Sequence, residues 1–136
     1  MHPLFTHRLE VRFRDCDLHG HVNHAVYLTY LEEARFGLWR KLWGMDQNAR
    51  PAQTPDVILA RAEVDYRIPA RFGDDLEVRI FLARVGRTSF TYTYEVVDAA
   101  GRIVAAATTV QVMYDYKTAR PVPIPDDVRA MLRQPA

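Results

Sequence analysis

The chain is predicted to be an α+β protein in which one long helix lies against an antiparallel sheet. An alternating strand pattern, a long helical pattern and then four further alternating patterns predict it. With 136 residues, 49% hydrophobic and 26% charged, the chain is read as one globular domain spanning 1–136. Its net charge of +1 gives no bulk attraction to nucleic acid or to a membrane surface, so neither is expected as a partner. The single cysteine, Cys16, excludes an intrachain disulfide and suits a reducing compartment. The first eight residues lack the apolar core of a signal peptide, and no run approaches membrane-spanning length. A cytoplasmic location is therefore expected.

Leu9, Val11 and Phe13 alternate with Arg8, Glu10 and Arg12, the pattern of a half-buried strand. From about Asn23 to Trp43 the pattern is helical. Leu28, Leu31, Leu38 and Leu42 lie near one face, and Phe36, Trp39 and Trp43 widen it. Only a narrow polar strip of Thr29, Glu33, Arg40 and Lys41 remains, which predicts a largely enclosed helix. Gly44 is the stop signal and Met45–Pro55 the following loop. Ile58, Ala60, Ala62, Val64 and Tyr66 then alternate with polar residues. Leu76, Val78, Ile80 and Leu82 form the next strand, Gly86-Arg87 a tight turn, and Ser89–Val97 the strand after it. Asp98–Gly101 turns again into Ile103–Tyr114. Pro121, Pro123 and Pro125 mark an extended exit, and Ile124, Val128 and Leu132 a short terminal helix. One sheet and one helix leave sheet edges in need of cover, so association is expected.

The segment Asp15-Cys-Asp-Leu-His-Gly-His-Val-Asn-His24 joins the first strand to the long helix. A helix start has unpaired N–H donors and partial positive charge, which suits an anion or a polarised carbonyl. A carboxylate just upstream of such a start is a plausible hydrolytic arrangement. Asp15 and Asp17 equally suit turn or capping roles. Asn23 reads as the helix N-cap, and the His24 imidazole either meets substrate or simply packs. Cys16 reads as a buried small residue rather than a nucleophile. His19, His21 and His24 with two acids resemble a metal-ligand set by composition alone, without a derivable geometry. Glu32 and Arg35, spaced i, i+3, are expected to pair on the helix. Arg84, Arg87, Thr88 and Ser89 gather at a strand turn, either as a solvated hairpin tip or as a patch for phosphate groups.

Arg12-Phe-Arg-Asp-Cys-Asp-Leu-His-Gly-His-Val-Asn-His24 with Tyr27-Leu-Thr-Tyr-Leu-Glu-Glu-Ala-Arg35 resembles the 4-hydroxybenzoyl-CoA thioesterase-like family of hotdog-fold acyl-CoA thioesterases. Asp65-Tyr-Arg-Ile-Pro69, Gly73-Asp74 and Arg84–Ser89 extend the resemblance to about Pro121. It implies a five-stranded antiparallel sheet curled around the helix and an acyl-CoA substrate. It also implies homodimers with a continuous sheet, often homotetramers, and calls for no metal or other cofactor. It places the catalytic carboxylate on Asp17 and the carbonyl-polarising backbone N–H at His24, after Asn23. Gly20, Tyr27 and Glu32, the last with its face about two turns from the helix start, are candidate substrate-binding residues, and the resemblance strengthens the phosphate-binding reading of Arg84, Arg87, Thr88 and Ser89. The hydroxybenzoyl-specific members carry bulky aromatic residues where Asn23 and His24 stand; the His-Val-Asn-His form looks more like members acting on fatty or other acyl-CoAs. A hydroxyacyl-thioester dehydratase and a non-catalytic acyl-CoA-binding protein are the competing classes. The first would need a histidine–acid pair; the second would have no use for Asp17.

Overall fold

The computed structural model describes residues 2–43 and 56–135. Its elements run β1 (Phe5–Glu10), α1 (Val26–Trp43), β2 (Asp56–Tyr66), β3 (Asp75–Val85), β4 (Ser89–Asp98), β5 (Ile103–Asp115), β6 (Arg120–Pro121) and α2 (Asp126–Leu132). The sheet has the order β1-β3-β4-β5-β2, every neighbour antiparallel, and the two-residue β6 pairs with the end of β5. This is the expected α+β hotdog arrangement of five long strands and one long helix. The Gly44 stop signal and the loop over 45–55 lie outside the described residues.

The β-branched and aromatic alternation of β3, β4 and β5 explains the core. Leu76, Val78 and Ile80, then Phe90, Tyr92, Tyr94 and Val96, then Ala105, Ala107, Thr109, Gln111 and Met113 are all buried on the side that meets α1. From the helix come Tyr27, Tyr30, Leu31, Ala34 and Leu38. Each fully buried leucine contributes about 1.5–3 kcal/mol relative to exposure. The helix lies close to β1 because residue 37 is glycine. A Cβ there would stand 2.7 Å from the Phe5 ring.

Four expectations change. β1 lies upstream of the predicted Leu9–Phe13 strand, and Phe13 begins a 3-10 turn, Phe13–Asp15, with its ring 81% exposed. The cause is local: the Asp15 carboxylate accepts the Arg12 backbone N–H at 3.0 Å, which closes the chain on itself. Regular helix begins at Val26 rather than Asn23. The helix is not enclosed, since Leu28 and Phe36 are 43% and 45% exposed. Finally, β2 contains a bulge between Leu59 and Arg61, where it pairs with Gln111 and Val110. The extra residue flips the strand's phase. Leu59, Ala62, Val64 and Tyr66 therefore share the helix side of the sheet, and Ile58 takes the other.

Candidate active site

The strand-to-helix connection folds as a miniature hairpin. The Asn23 N–H donates to the Asp15 carbonyl at 2.8 Å and the Asp17 N–H to the His21 carbonyl at 2.8 Å. Cys16 and Val22 bridge between them. Its turn closes through Gly20 N–H to Asp17 carbonyl at 3.0 Å, with Gly20 at φ 75°, a conformation glycine adopts without steric cost. On the other flank Val22 N–H donates to the Ala70 carbonyl, and His21 bridges to Arg71. The 70–74 loop thus braces the hairpin from the far side.

Asp15 and Asp17 are built differently. Asp15 is 2% exposed. It accepts from the Arg12 guanidinium Nη2 at 3.0 Å and from the Tyr30 hydroxyl at 2.8 Å, besides the Arg12 N–H. Burial pushes its carboxyl up, but the Arg12 and Tyr30 hydrogen bonds outweigh this and hold it below the ordinary carboxylate value. Asp15 is the anchor of the hairpin, in line with its structural reading. Asp17 is exposed. One of its oxygens, Oδ1, accepts the backbone N–H groups of His19 at 2.9 Å and His21 at 3.3 Å. Partial desolvation raises its carboxyl and these two N–H groups lower it further, so it too lies below the ordinary value. Oδ2 has no donor among the described residues. An open, largely apolar concavity lined by Phe13, Cys16, Leu18, Gly20 and Phe72 adjoins it. Cys16 is thus half-buried at a surface depression rather than fully buried in the core.

At the helix start the Asn23 side chain accepts the Ala25 N–H at 3.0 Å, the bond of an N-cap residue. The Asn23 carbonyl accepts the Val26 N–H at 2.9 Å. No acceptor among the described residues takes the His24 N–H. The His24 carbonyl is held by the Tyr66 hydroxyl at 2.8 Å, and the His24 ring stands edge-on to the Tyr66 ring at 6.5 Å. Tyr27 is buried, its ring 5.2 Å from Tyr66 and 5.8 Å from Tyr30, so it supports the helix start from within and does not line an open surface. Tyr66 and Tyr30 escaped the sequence reading. Their partners lie 42 and 15 residues away, and an isolated tyrosine on a strand or helix carries no local sign of a distant acceptor.

The histidines do not converge. The His19 and His21 rings are 6.4 Å apart, and among the described residues no three His, Cys, Asp or Glu groups gather as a metal site. The expected Glu32–Arg35 pair is not formed. Arg35 is buried and its Nη1 donates to the Tyr94 hydroxyl at 3.2 Å, whereas Glu32 is exposed with no partner among the described residues. A side chain leaning toward the sheet meets Tyr94 before it can meet a glutamate on the outer surface.

Arg84, Arg87, Thr88 and Ser89 stand at the β3–β4 hairpin, with both arginines exposed. Backbone bonds fix this tip: Gly86 N–H to Ser89 carbonyl, Met113 N–H to Thr88 carbonyl, and Ile124 N–H to Arg87 carbonyl. β3 starts beside the site loop at Asp75 and ends at Val85. Its length separates the tip from Asp17 by on the order of 30 Å within one chain. Among the described residues no helix is long and apolar enough to cross a membrane.

Comparison with known proteins agrees with this fold. Residues 11–132 match the thioesterase-like superfamily. The chain is similar to the Acyl-CoA thioester hydrolase YbgC of Escherichia coli O6:H1, 28% identical over 96% of this chain and 97% of that one. It is 32% identical to a putative esterase of Aquifex aeolicus, over 95% and 98% of the two chains. Among solved structures, a thioesterase from Thermus thermophilus complexed with coenzyme A and Zn superposes with a TM-score of 0.80. That protein is 32% identical, and the match covers 96% of this chain and 93% of that one. With the antiparallel sheet, the long helix and the Asp15–His24 hairpin between them, these matches show that the chain belongs to the thioesterase-like superfamily, the hotdog-fold thioester hydrolases of the 4-hydroxybenzoyl-CoA thioesterase type.

Proposed function

We propose that this chain hydrolyses acyl-CoA to the free acid and CoA, with Asp17 as general base or nucleophile and the His24 N–H polarising the thioester carbonyl. The observation that carries the reading is the division of labour within the Asp17 carboxylate. Oδ1 is fixed by the His19 and His21 N–H groups, and Oδ2 has no donor among the described residues. A carboxylate so held is oriented but still has a lone pair to offer. As a base it removes a proton from water as the water oxygen bonds to the thioester carbon. The C–S bond then breaks, and the CoA thiolate leaves and takes up a proton. As a nucleophile, Asp17 would form a mixed anhydride that water opens. In both routes the carbonyl oxygen gains negative charge, which a free N–H at a helix start stabilises.

The exposed Asp17 loop, the uncovered side of α1 and the remote Arg84–Ser89 tip support a homodimer at least, and a homotetramer of two dimers is compatible with them. In such an assembly a second subunit would bring its Arg84 or Arg87 to the CoA phosphates while the first supplies Asp17. A dehydratase would need an acid paired with His24, and no such pair is found among the described residues.

The test is a panel of saturated, aromatic and hydroxylated acyl-CoAs followed with a thiol-detecting reagent. Release of free CoA from at least one class is expected. Stoichiometric binding without turnover across the whole panel would favour a non-catalytic acyl-CoA-binding role.

A further inference from the structure

The polar groups buried between α1 and the sheet come in a series. Arg35, Trp39 and Trp43 follow one another at each turn on one side of α1. Tyr94, Tyr92 and Phe90 alternate along the helix side of β4. Arg35 Nη1 donates to the Tyr94 hydroxyl at 3.2 Å, and Trp39 Nε1 to the Tyr92 hydroxyl at 3.0 Å. The third step is broken, because position 90 is phenylalanine and offers no hydroxyl. The Trp43 Nε1–H is buried without an acceptor. Gln111 stands opposite Phe90 on β5 and is 1% exposed. Its Nε2 donates to the Phe90 carbonyl at 3.1 Å, which fixes the orientation of the amide, and its Oε1 is buried without a donor. The Trp43 ring is 5.9 Å from the Trp39 ring, which is 6.5 Å from that of Phe90. The orphan donor and the orphan acceptor therefore belong to the same end of the helix–sheet layer. Among the described residues these are the two buried side-chain polar atoms without a partner. Native proteins rarely leave such atoms unmet, because burying them unpaired is costly. One donor beside one acceptor complements a hydroxyl group, which both accepts and donates.

A lane that α1 does not cover leads to this end. On the helix side of β2, Leu59, Ala62 and Tyr66 are exposed, and the neighbouring β5 positions Ala105 and Ala107 carry only methyl groups. Tyr66, which holds the His24 carbonyl, is in register with Ala105, and Leu59 is in register with Gln111. From Ala105 to Gln111 the strand covers on the order of 20 Å. That is the reach of a long acyl chain, not of a short or an aromatic one. We infer that Gln111 Oε1 and Trp43 Nε1 form the polar far end of the acyl site and take a hydroxyl group carried near the tip of a long acyl chain. The inference rests on the acyl-CoA hydrolysis proposed above and names a substrate class for it.

Palmitoyl-CoA, ω-hydroxypalmitoyl-CoA, octanoyl-CoA and ω-hydroxyoctanoyl-CoA test it. The quantity read is the ratio of kcat/KM for each hydroxylated thioester to that of its parent, which does not depend on the fraction of protein that is folded. The wild type should favour ω-hydroxypalmitoyl-CoA by about tenfold or more, chiefly through KM, because the parent chain leaves both buried atoms unpaired. The octanoyl pair is too short to reach and should show no preference. Gln111→Leu removes the acceptor and Trp43→Phe the donor, and each should bring the palmitoyl ratio close to one. Phe90→Tyr supplies the missing hydroxyl from the chain itself and should do the same without removing either polar atom. A wild-type palmitoyl ratio near one would overturn the inference and leave the two atoms to a trapped water. An equal preference in the octanoyl pair, or one that survives in both Gln111→Leu and Trp43→Phe, would place the hydroxyl contact elsewhere and overturn it as well. If none of the thioesters is hydrolysed, the proposed activity fails alone, and the ratio of their dissociation constants by titration calorimetry decides on the polar end in its place.

Discussion

Asp15 and Asp17 stand on the same short strand of the miniature hairpin, yet their surroundings differ at every point. Asp15 is closed in by Arg12 and Tyr30 and has donors on both oxygens. Asp17 lies at the surface with its donors drawn from its own turn and confined to one oxygen. Both carboxyls are held below their ordinary value, so charge alone does not distinguish them. The difference is in what remains available. A saturated carboxylate can only hold structure together, and a half-satisfied one can also act on water.

Three substitutions bear on that contrast. Asp17→Asn preserves shape and hydrogen-bond acceptance but removes the basic oxygen, so kcat should fall by at least about 10²-fold with KM and Tm little changed. Wild-type turnover in this variant would end the catalytic reading of Asp17. Asp15→Asn should act on stability, costing about 1.5–3 kcal/mol at neutral pH because charged hydrogen bonds to Arg12 and Tyr30 are weakened. Since the folded carboxyl is depressed, its contribution is fully present above the ordinary value of 3.8 and is lost as the pH falls through the folded value. Denaturant titrations of wild type and Asp15→Asn should therefore converge in acid; a gap that is constant with pH would show that Asp15 does not stabilise through its charge. Tyr66→Phe is the mildest. It frees the His24 carbonyl at a cost of about 0.5–1.5 kcal/mol and should lower kcat by only a few-fold, without the pH dependence of the Asp15 variant. A loss as large as that of Asp17→Asn would make Tyr66 part of the chemistry rather than a brace.

Alternation and turn residues were enough to read β3, β4 and β5 because those strands are sandwiched between one buried and one more accessible face, which the period of two records directly. The site segment was legible for a similar reason, since its acids, glycine and cap residue lie within ten positions. Phe13 misled because its phase fits a strand while the Arg12–Asp15 contact bends the chain before the strand reaches it. Ile58 misled because one extra residue in β2 reverses the faces. The helix read as enclosed because Leu28 and Phe36 are as apolar as Leu31 and Leu38. Periodicity reports that a face avoids water, but not whether the same chain covers it. Arg35 and Tyr66 were illegible in a stricter sense, because their contacts depend on how distant strands are brought to the helix.

The brace from residues 70–71 also bears on the order in which the molecule forms. β1 and the Asp15–His24 segment leave the ribosome before β3, but β1 pairs with β3, in the register Phe5 to Ile80, and Val22 bonds Ala70. Closing so long a loop is entropically costly and slow compared with helix formation. While the chain is being made, the residues of α1 are therefore complete before the strands they pack against. The hairpin acquires its final shape only when the middle of the chain returns to it. The brace on Asp17 and the His24 N–H is thus completed by the part of the chain that also closes β1 onto β3, so a chain interrupted before residue 70 would carry both residues without the contacts that hold their hairpin against the sheet.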